Sequence, residues 1–327
     1  MRTPNNLILV TGCPRSGTTW VGSTLAKSRK VIYAYEPFNT DVSLRFSVEE
    51  RFPTLTDDTA GPLKSEIDAM VSLSRLGPRA TSAVYGLVER YTGRKKIAPR
   101  LAARHAFKSG YSFFKPDHVL IKDPLAFFSA EWLSQTYGAQ VVIMARHPAA
   151  FVSSYLKLGW RNESADLMDR QHPTRHEDLS EDIEQYRSNT GDEIAGLILQ
   201  WKIFAVHTLS LIETHKKWCF ALHEDFCLDP ERSFAALFEA LGLEFTESIK
   251  DQIQNETSAD NNTDLATHEQ HQLLRNSSAL KDAWKTRVDD EIASRVIEEA
   301  GPLFEVLKDA IRRASPHLCA SRLELAG

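Results

Sequence analysis

The chain has 327 residues, 42% hydrophobic and 25% charged, long enough to bury a full core and ordinary for a soluble globular protein. Its 39 basic and 44 acidic residues leave a net charge of −5, which argues against a general nucleic-acid binder. Cys13, Cys219, Cys227 and Cys319 lack metal-ligand spacing and the density of a disulfide framework, so they are expected as single reduced thiols.

Leu7 to Val10 is a short apolar run of the size of a buried strand. Thr11 to Gly17 reads as a turn, Thr18 to Ser28 has helical spacing with Trp20, Val21 and Leu25 on one side, and Val31 to Tyr35 is a second strand. The turn, Gly12-Cys-Pro-Arg-Ser-Gly17-Thr18-Thr19, matches G-x-x-x-x-G-K-[ST] at both glycines and at the final threonine, but Thr18 stands where the lysine belongs. Glycines let successive N–H groups turn inward, and a helix N-terminus adds about half a positive charge, so an anion with several oxygens fits the loop. A nucleoside triphosphate with magnesium needs the missing lysine. The fixed cation of this loop is Arg15 instead.

Residues 40–118 show scattered helical spacing at Leu63, Ile67, Met70 and Val71 and a basic stretch from Arg90 to Arg104. They read as a helical insertion and an acceptor cover; for most of the charges a solvated helix face is the alternative. Val119 to Ile121 is a strand ending in Lys122-Asp123-Pro124, followed by a helix from Ser129, as N-cap, to Tyr137, stopped by Gly138. Gln140 to Ala145 is the strongest strand signal, suited to a central parallel position, and ends in Arg146-His147-Pro148 before a helix from Ala149 to Leu158. Glu184 to His215 predicts helix in two pieces around Gly191 and Asp192; Cys219 to Leu222 predicts a strand ending in His223-Glu224-Asp225. Pro230 to Leu241 predicts a helix closed by Gly242, Thr246 to Ser278 a polar Asn-rich loop, and Asp290 to Arg313 an amphipathic helix bent at Pro302.

Strands alternating with helices predict an α/β fold: a mostly parallel central sheet flanked by helices, P-loop NTPase-like, with a helical insertion and a helical C-terminal segment. One domain over 1–327 is expected, made of 7–39, 40–118, 119–245 and 246–327. No apolar run approaches the roughly 18 residues of a membrane helix, and MRTPNNLILV is not a signal peptide, so a cytoplasmic protein without a transmembrane segment is expected. The N-x-[ST] sequons at Asn162, Asn255, Asn261 and Asn276 are then read as chance matches.

Open α/β sheets bind ligands beyond the carboxyl ends of their strands. Arg146 stands at such an end, and Ser154 lies about two turns into the next helix. One ligand with two separated anionic groups would bridge this pair and the loop of Gly12 to Thr19, with arginine forking onto a phosphate and serine donating one more bond.

Pro14-Arg-Ser-Gly-Thr-Thr-Trp20 resembles the 5′-phosphosulfate loop of sulfotransferases that use 3′-phosphoadenosine-5′-phosphosulfate (PAPS), and Arg146-His-Pro-Ala-Ala-Phe-Val-Ser-Ser154 resembles their 3′-phosphate motif. Ala34-Tyr35-Glu36-Pro37 looks like a stretch of carbohydrate and protein-tyrosine sulfotransferases. Lys122-Asp123-Pro124 and His223-Glu224-Asp225 are similar to the carbohydrate branch, and Lys281 to Val288 around Trp284 resembles the family's tail. The basic Arg-Lys-Gly segment of the cytosolic small-molecule enzymes is absent; Arg275, Ser277 and Lys281 are the candidates to replace it.

The resemblance implies transfer of a sulfuryl group from PAPS to a hydroxyl, on a carbohydrate or glycolipid, without a metal. It implies Arg15, Ser16, Gly17, Thr18, Thr19, Trp20, Arg146 and Ser154 as nucleotide-binding residues, with Arg15 also neutralising the leaving phosphate. Glu36 is the candidate base, provided that burial raises its pKa toward neutrality, and Lys122 an aid to sulfonate or acceptor binding. Rival bases are His105, His147 and His223, with His223 at a remote strand end. Trp20 has sheet packing as its alternative, and Lys122 a strand-end ion pair. Two other functions stay open: a P-loop kinase or NTPase with an atypical loop, and a non-catalytic nucleotide-binding or partner protein.

Overall fold

The computed structural model describes residues 7–41, 46–72, 118–170, 179–258 and 276–319. In chain order the elements are β1 (Leu7–Gly12), α1 (Thr18–Leu25), β2 (Val31–Tyr35), α2 (Gly61–Ser72), β3 (His118–Lys122), a 3₁₀ turn (Pro124–Ser129), α3 (Ala130–Tyr137), β4 (Gln140–Ala145) and α4 (Pro148–Leu158). There follow α5 (Ser164–Arg170), α6 (Ser180–Ser188), α7 (Glu193–Thr214), β5 (Cys219–Leu222), α8 (His223–Leu228), α9 (Pro230–Ala240) and α10 (Glu247–Thr257). The chain continues with the single turn α11 (Ser277–Leu280), a 3₁₀ turn (Ala283–Thr286), α12 (Asp290–Ala314) and a last 3₁₀ turn (Pro316–Leu318).

The strands form one five-stranded parallel sheet in the order β2-β3-β1-β4-β5. Every residue of β1 and β5 is buried, as expected of strands covered on both faces. Mostly apolar strands satisfy their backbone in the ladder while their side chains leave water, at roughly 1.5–3 kcal/mol per buried aliphatic or phenyl group. The chain divides into two compact units, Met1–Thr11 with Thr18–Val142 and Leu241–Ile249, and Gly12–Gly17 with Ile143–Ala240 and Lys250–Gly327.

In the first unit β3 lies between β2 and β1, with Tyr35 opposite Lys122 and Val10 opposite Lys122. The ladder runs one residue beyond the strands: Glu36 N donates to Lys122 O at 2.8 Å and Asp123 N to Val10 O at 3.0 Å. The buried Asp123 carboxylate accepts from the main-chain N–H groups of Phe38 (2.6 Å) and Leu125 (2.9 Å), so one side chain holds two chain reversals. Burial, then the nearby Glu36 charge, push this carboxyl up to about 7. Ser129 occupies the predicted N-cap, but its hydroxyl makes no cap bond; it donates to Pro53 O and accepts from Leu55 N. Helix α1 ends at Leu25, and the expected last turn tightens: Lys27 N bonds Thr24 O and Ser28 N bonds Leu25 O. In the expected insertion, α2 buries Leu63 and Ile67. The basic stretch from Arg90 to Arg104 and His105 lie outside the described residues, as does Arg275.

The second unit is organised on α7, which packs against α4, α5, α6 and α12. Helices α6 and α7 break around Gly191 and Asp192 as predicted. Among the described residues α7 is long and apolar enough to cross a membrane by length and composition; this corrects the expectation that no run approaches that size. Most of α7 is buried within the protein. At its start Asn162 takes four bonds: its N and Nδ2 donate to Glu193 (2.5 and 2.9 Å), and its Oδ1 accepts from Tyr186 OH (3.0 Å) and Ser164 N (3.2 Å). Its amide lies so close to Gly196 that a Cβ there would sit 2.4 Å from Nδ2. At the far end of α12, Ser315 Oγ accepts from Phe220 N of β5 at 3.0 Å, and Arg312 pairs with the buried Asp225 at 3.1 Å.

One predicted loop is partly helical. Helix α10 occupies Glu247–Thr257, with Ile249 and Ile253 buried one turn apart and Thr246 accepting at its start. The two isoleucines supply the apolar stripe that a polar, Asn-rich composition hides.

Candidate functional site

The loop after β1 takes a path that ordinary residues do not follow. Gly12 (φ 142°) lies against the backbone of Met144, where a Cβ would come 2.1 Å from the carbonyl oxygen. Gly17 (φ 91°) lies against His223, whose Cδ2 would be 2.5 Å from an added Cβ. Arg15 is itself left-handed (φ 68°), in a conformation that costs a non-glycine residue on the order of 1 kcal/mol. Ser16 N closes the turn on Cys13 O at 3.1 Å.

Three of the predicted residues meet here. Arg146 Nη1 donates to the Arg15 carbonyl at 2.9 Å, and Arg15 Nε donates to Ser154 Oγ at 2.9 Å. The Arg146 carbonyl accepts from Trp201 Nε1 at 2.9 Å, which ties the end of β4 to α7. Two buried polar atoms in this group have no partner: Ser16 Oγ and Arg146 Nε. Buried polar atoms are normally paired, so a donor left open beside a glycine-lined turn suits an acceptor brought by a ligand. Burial lowers Arg146 from its ordinary value, opposed by the Glu224 charge, and the nearby Arg287 charge lowers it further.

His147, one of the rival bases, is built into the packing at the end of β4. Its ring stacks on Trp284 (5.0 Å between centroids, 10° between planes) and meets Phe304 edge-on at 4.7 Å. Its Nδ1 accepts from Ala149 N at 3.2 Å, capping α4, and its own N–H donates to Glu224 Oε1 at 3.0 Å. Burial pushes the imidazole down to about 4, so it is neutral near pH 7. Burial raises the carboxyl of Glu224. His223 is not remote, as its strand-end position suggests; it is buried against Gly17, at the start of α8, a helix the sequence reading passed over. Trp284 stands ahead of the last helix, as the family resemblance implies. Ser277 is buried with its hydroxyl on Thr257 O at 3.4 Å, and Lys281 pairs with Asp282 at 2.8 Å. Thr18, Thr19 and Trp20 form the first turn of α1, with Thr18 buried and Trp20 half-buried.

A second cluster lies in the first unit. Glu36 is left-handed (φ 49°) just past β2. Lys122, fully buried, donates through Nζ to Glu36 Oε1, and its Nζ stands 3.8 Å from the Tyr35 ring centroid. Asn39 Nδ2 donates to Glu36 Oε2 at 2.7 Å. The lysine stem fits under α1 because residue 22 is glycine: a Cβ there would lie 2.7 Å from Lys122 Cγ. Sequence reasoning missed this role; its signal was a glycine in the middle of a predicted helix. The expectation that burial raises Glu36 toward neutrality fails. Burial does raise it, but the charge and hydrogen bond of Lys122 and the bonds from Asn39 and Tyr35 hold the carboxyl below its ordinary value. Glu36 is therefore ionised and paired.

Residues 7–247 match the sequence model of the sulfotransferase family. The chain belongs to that family and is a transferase by class. Solved structures similar to it include the sulfotransferase domain of the Synechococcus PCC 7002 olefin synthase, 18% identical with a TM-score of 0.46, covering 93% of this chain and 98% of that one. Sulfotransferase STF9 from Mycobacterium avium is 11% identical with a TM-score of 0.41, covering 93% and 77%. Retinol dehydratase in complex with androsterone and inactive cofactor PAP is 16% identical with a TM-score of 0.40, covering 93% and 82%. No curated protein matches the chain.

Proposed function

We propose that this chain moves a sulfuryl group from PAPS to a hydroxyl of a carbohydrate or glycolipid acceptor. The observation that carries the reading is the junction of the two motifs, Arg146 Nη1 on the Arg15 carbonyl at 2.9 Å, inside one compact unit. The residues fit a bisanionic nucleotide: the open donors Ser16 Oγ and Arg146 Nε, and a turn whose glycines leave no room for a Cβ.

In this proposal Arg15, the loop N–H groups and the Ser16, Thr18 and Thr19 hydroxyls hold the 5′ end, with Trp20 beside the base. Arg146 and Ser154 hold the 3′-phosphate. Ser154 accepts from Arg15 and so keeps its own proton for a phosphate oxygen. Bound there, the nucleotide supplies the sulfuryl group. Glu36, ionised and paired with Lys122, takes the proton of the acceptor hydroxyl as a weaker base than a carboxylate raised toward neutrality would be. Arginines and backbone donors supply the positive charge that magnesium supplies in kinases, so transfer is expected to persist in excess EDTA. The acceptor class rests on the resemblance of Tyr35-Glu36-Pro37 and Lys122-Asp123-Pro124 to the carbohydrate branch.

Calorimetric titration tests the donor: adenosine 3′,5′-bisphosphate binds and ATP binds much more weakly. Equal binding of the two, or neither, rejects it. Transfer of label from ³⁵S-PAPS to a panel of glycans, glycolipids and phenols tests the acceptor; label confined to phenols rejects the carbohydrate assignment.

A further inference from the structure

We propose that Trp160 is a positioning residue for the donor loop, holding the Arg15 guanidinium in place through its indole face; this rests on the proposed reading of Gly12 to Thr19. The Arg15 backbone is left-handed and its carbonyl is held by Arg146, but neither fixes where a long side chain points. A free arginine samples many rotamers, and a guanidinium that wanders neutralises no particular oxygen. Contacts that restrict it include Nε donating to Ser154 Oγ at 2.9 Å and Cζ lying over the Trp160 ring, 5.5 Å from its centroid. That distance is within the range of about 6 Å in which the negative face of an aromatic ring attracts a cation, and tryptophan is the best such face.

Trp160 is itself anchored. It follows Gly159, which is left-handed (φ 63°) and ends α4, and its N–H donates to Tyr155 O at 3.1 Å. Its ring meets Tyr155 edge-on, 5.5 Å between centroids at 89°. Tyr155 is 1% exposed and accepts from Gln200 Nε2 of α7 at 3.0 Å. The core therefore sets the tyrosine, the tyrosine sets the indole, and the indole sets the arginine.

The test uses Trp160→Leu, which keeps bulk and removes the aromatic face, and Trp160→Phe, which restores one. In the unliganded protein the Arg15 Nε–H resonance, assigned by its loss in Arg15→Lys, is expected upfield from the indole ring current. It returns to the ordinary range in Trp160→Leu and stays partly shifted in Trp160→Phe. Adenosine 3′,5′-bisphosphate is expected to bind about fivefold more weakly to Trp160→Leu, near wild-type strength to Trp160→Phe, and equally to Arg15→Ala with or without Trp160→Leu. An Arg15 resonance unmoved by Trp160→Leu, or the same loss of affinity in the Arg15→Ala background, overturns the proposal. A wild-type protein that ignores the nucleotide overturns the donor reading instead, and the resonance still decides whether Trp160 holds Arg15.

Discussion

Arg146 reaches from the end of β4 to the carbonyl oxygen of Arg15, 2.9 Å away. A side chain of one motif thus holds the backbone of the other, and the open Nε of Arg146 is buried beside it. Charged hydrogen bonds contribute about 1.5–3 kcal/mol each, and only a forked cation serves the loop and a phosphate at once. Arg146→Lys is expected to weaken adenosine 3′,5′-bisphosphate about tenfold and Arg146→Ala about a hundredfold in calorimetric titration. Unchanged affinity in Arg146→Ala removes Arg146 from the nucleotide site.

With Glu36 as the proposed base, the Glu36–Lys122 pair is expected to set the pH profile. With its pKa lowered, Glu36 stays ionised down to below its ordinary value of 4.5, so turnover is expected to show no acid limb above that pH. Lys122→Met removes the main lowering influence and leaves burial, which raises the pKa; the acid limb then moves up in pH. Glu36→Gln is expected to abolish most turnover, and it also removes the carboxylate beside a fully buried ammonium, a loss of up to about 3–5 kcal/mol of stability if the lysine stays charged. Rate profiles and thermal melts of the two variants separate chemistry from folding; full turnover in Glu36→Gln removes it as the base.

Gly22→Ala tests how Lys122 is aimed. Alanine in a helix interior gains up to about 1 kcal/mol over glycine. Here the new methyl would lie 2.7 Å from Lys122 Cγ and 2.8 Å from its Cβ, and overpacking of a core costs about 1–3 kcal/mol. The clash wins: the variant is expected to melt lower and to shift the acid limb in the direction of Lys122→Met. A higher melting temperature with an unchanged profile contradicts it.

His147 links stability to pH. Its imidazole titrates near 4 in the fold against 6.5 as a free side chain, so below pH 6.5 the unfolded chain takes up the proton first. The native state loses stability as the pH falls from about 6.5 to about 4, and above that window the residue adds no slope. His147→Phe keeps an aromatic ring for Trp284, forfeits the cap on Ala149, and flattens that part of the stability curve. Chemical denaturation at several pH values reads the slope; an unaltered slope in the variant would place the proton elsewhere.

The sequence made the strands legible because buried parallel strands are nearly continuous apolar runs: β2, β4 and β5 begin and end where Val31–Tyr35, Gln140–Ala145 and Cys219–Leu222 predicted. The two motifs were legible because they are local in sequence, and Arg15, Arg146 and Ser154 meet as their order along the chain suggested. What escaped depends on contacts across the chain. The sequence position of Glu36 suggested a pKa raised by burial, and only the approach of Lys122 reversed its direction. His223 looked distant because the turn of Gly17 against it is visible only in three dimensions. Helix α10 rests on two isoleucines in a polar stretch, too few to outweigh composition.

The fourfold bonding of Asn162 has a bearing on the sequon it begins. The amide nitrogen that would carry a sugar donates to Glu193 and lies against Gly196. If this polypeptide were made in a compartment that glycosylates nascent chains, an oligosaccharide placed there would keep α7 from docking at its first turn. Glycan occupancy at that asparagine is expected to compete with the bond to Glu193 that seats the helix.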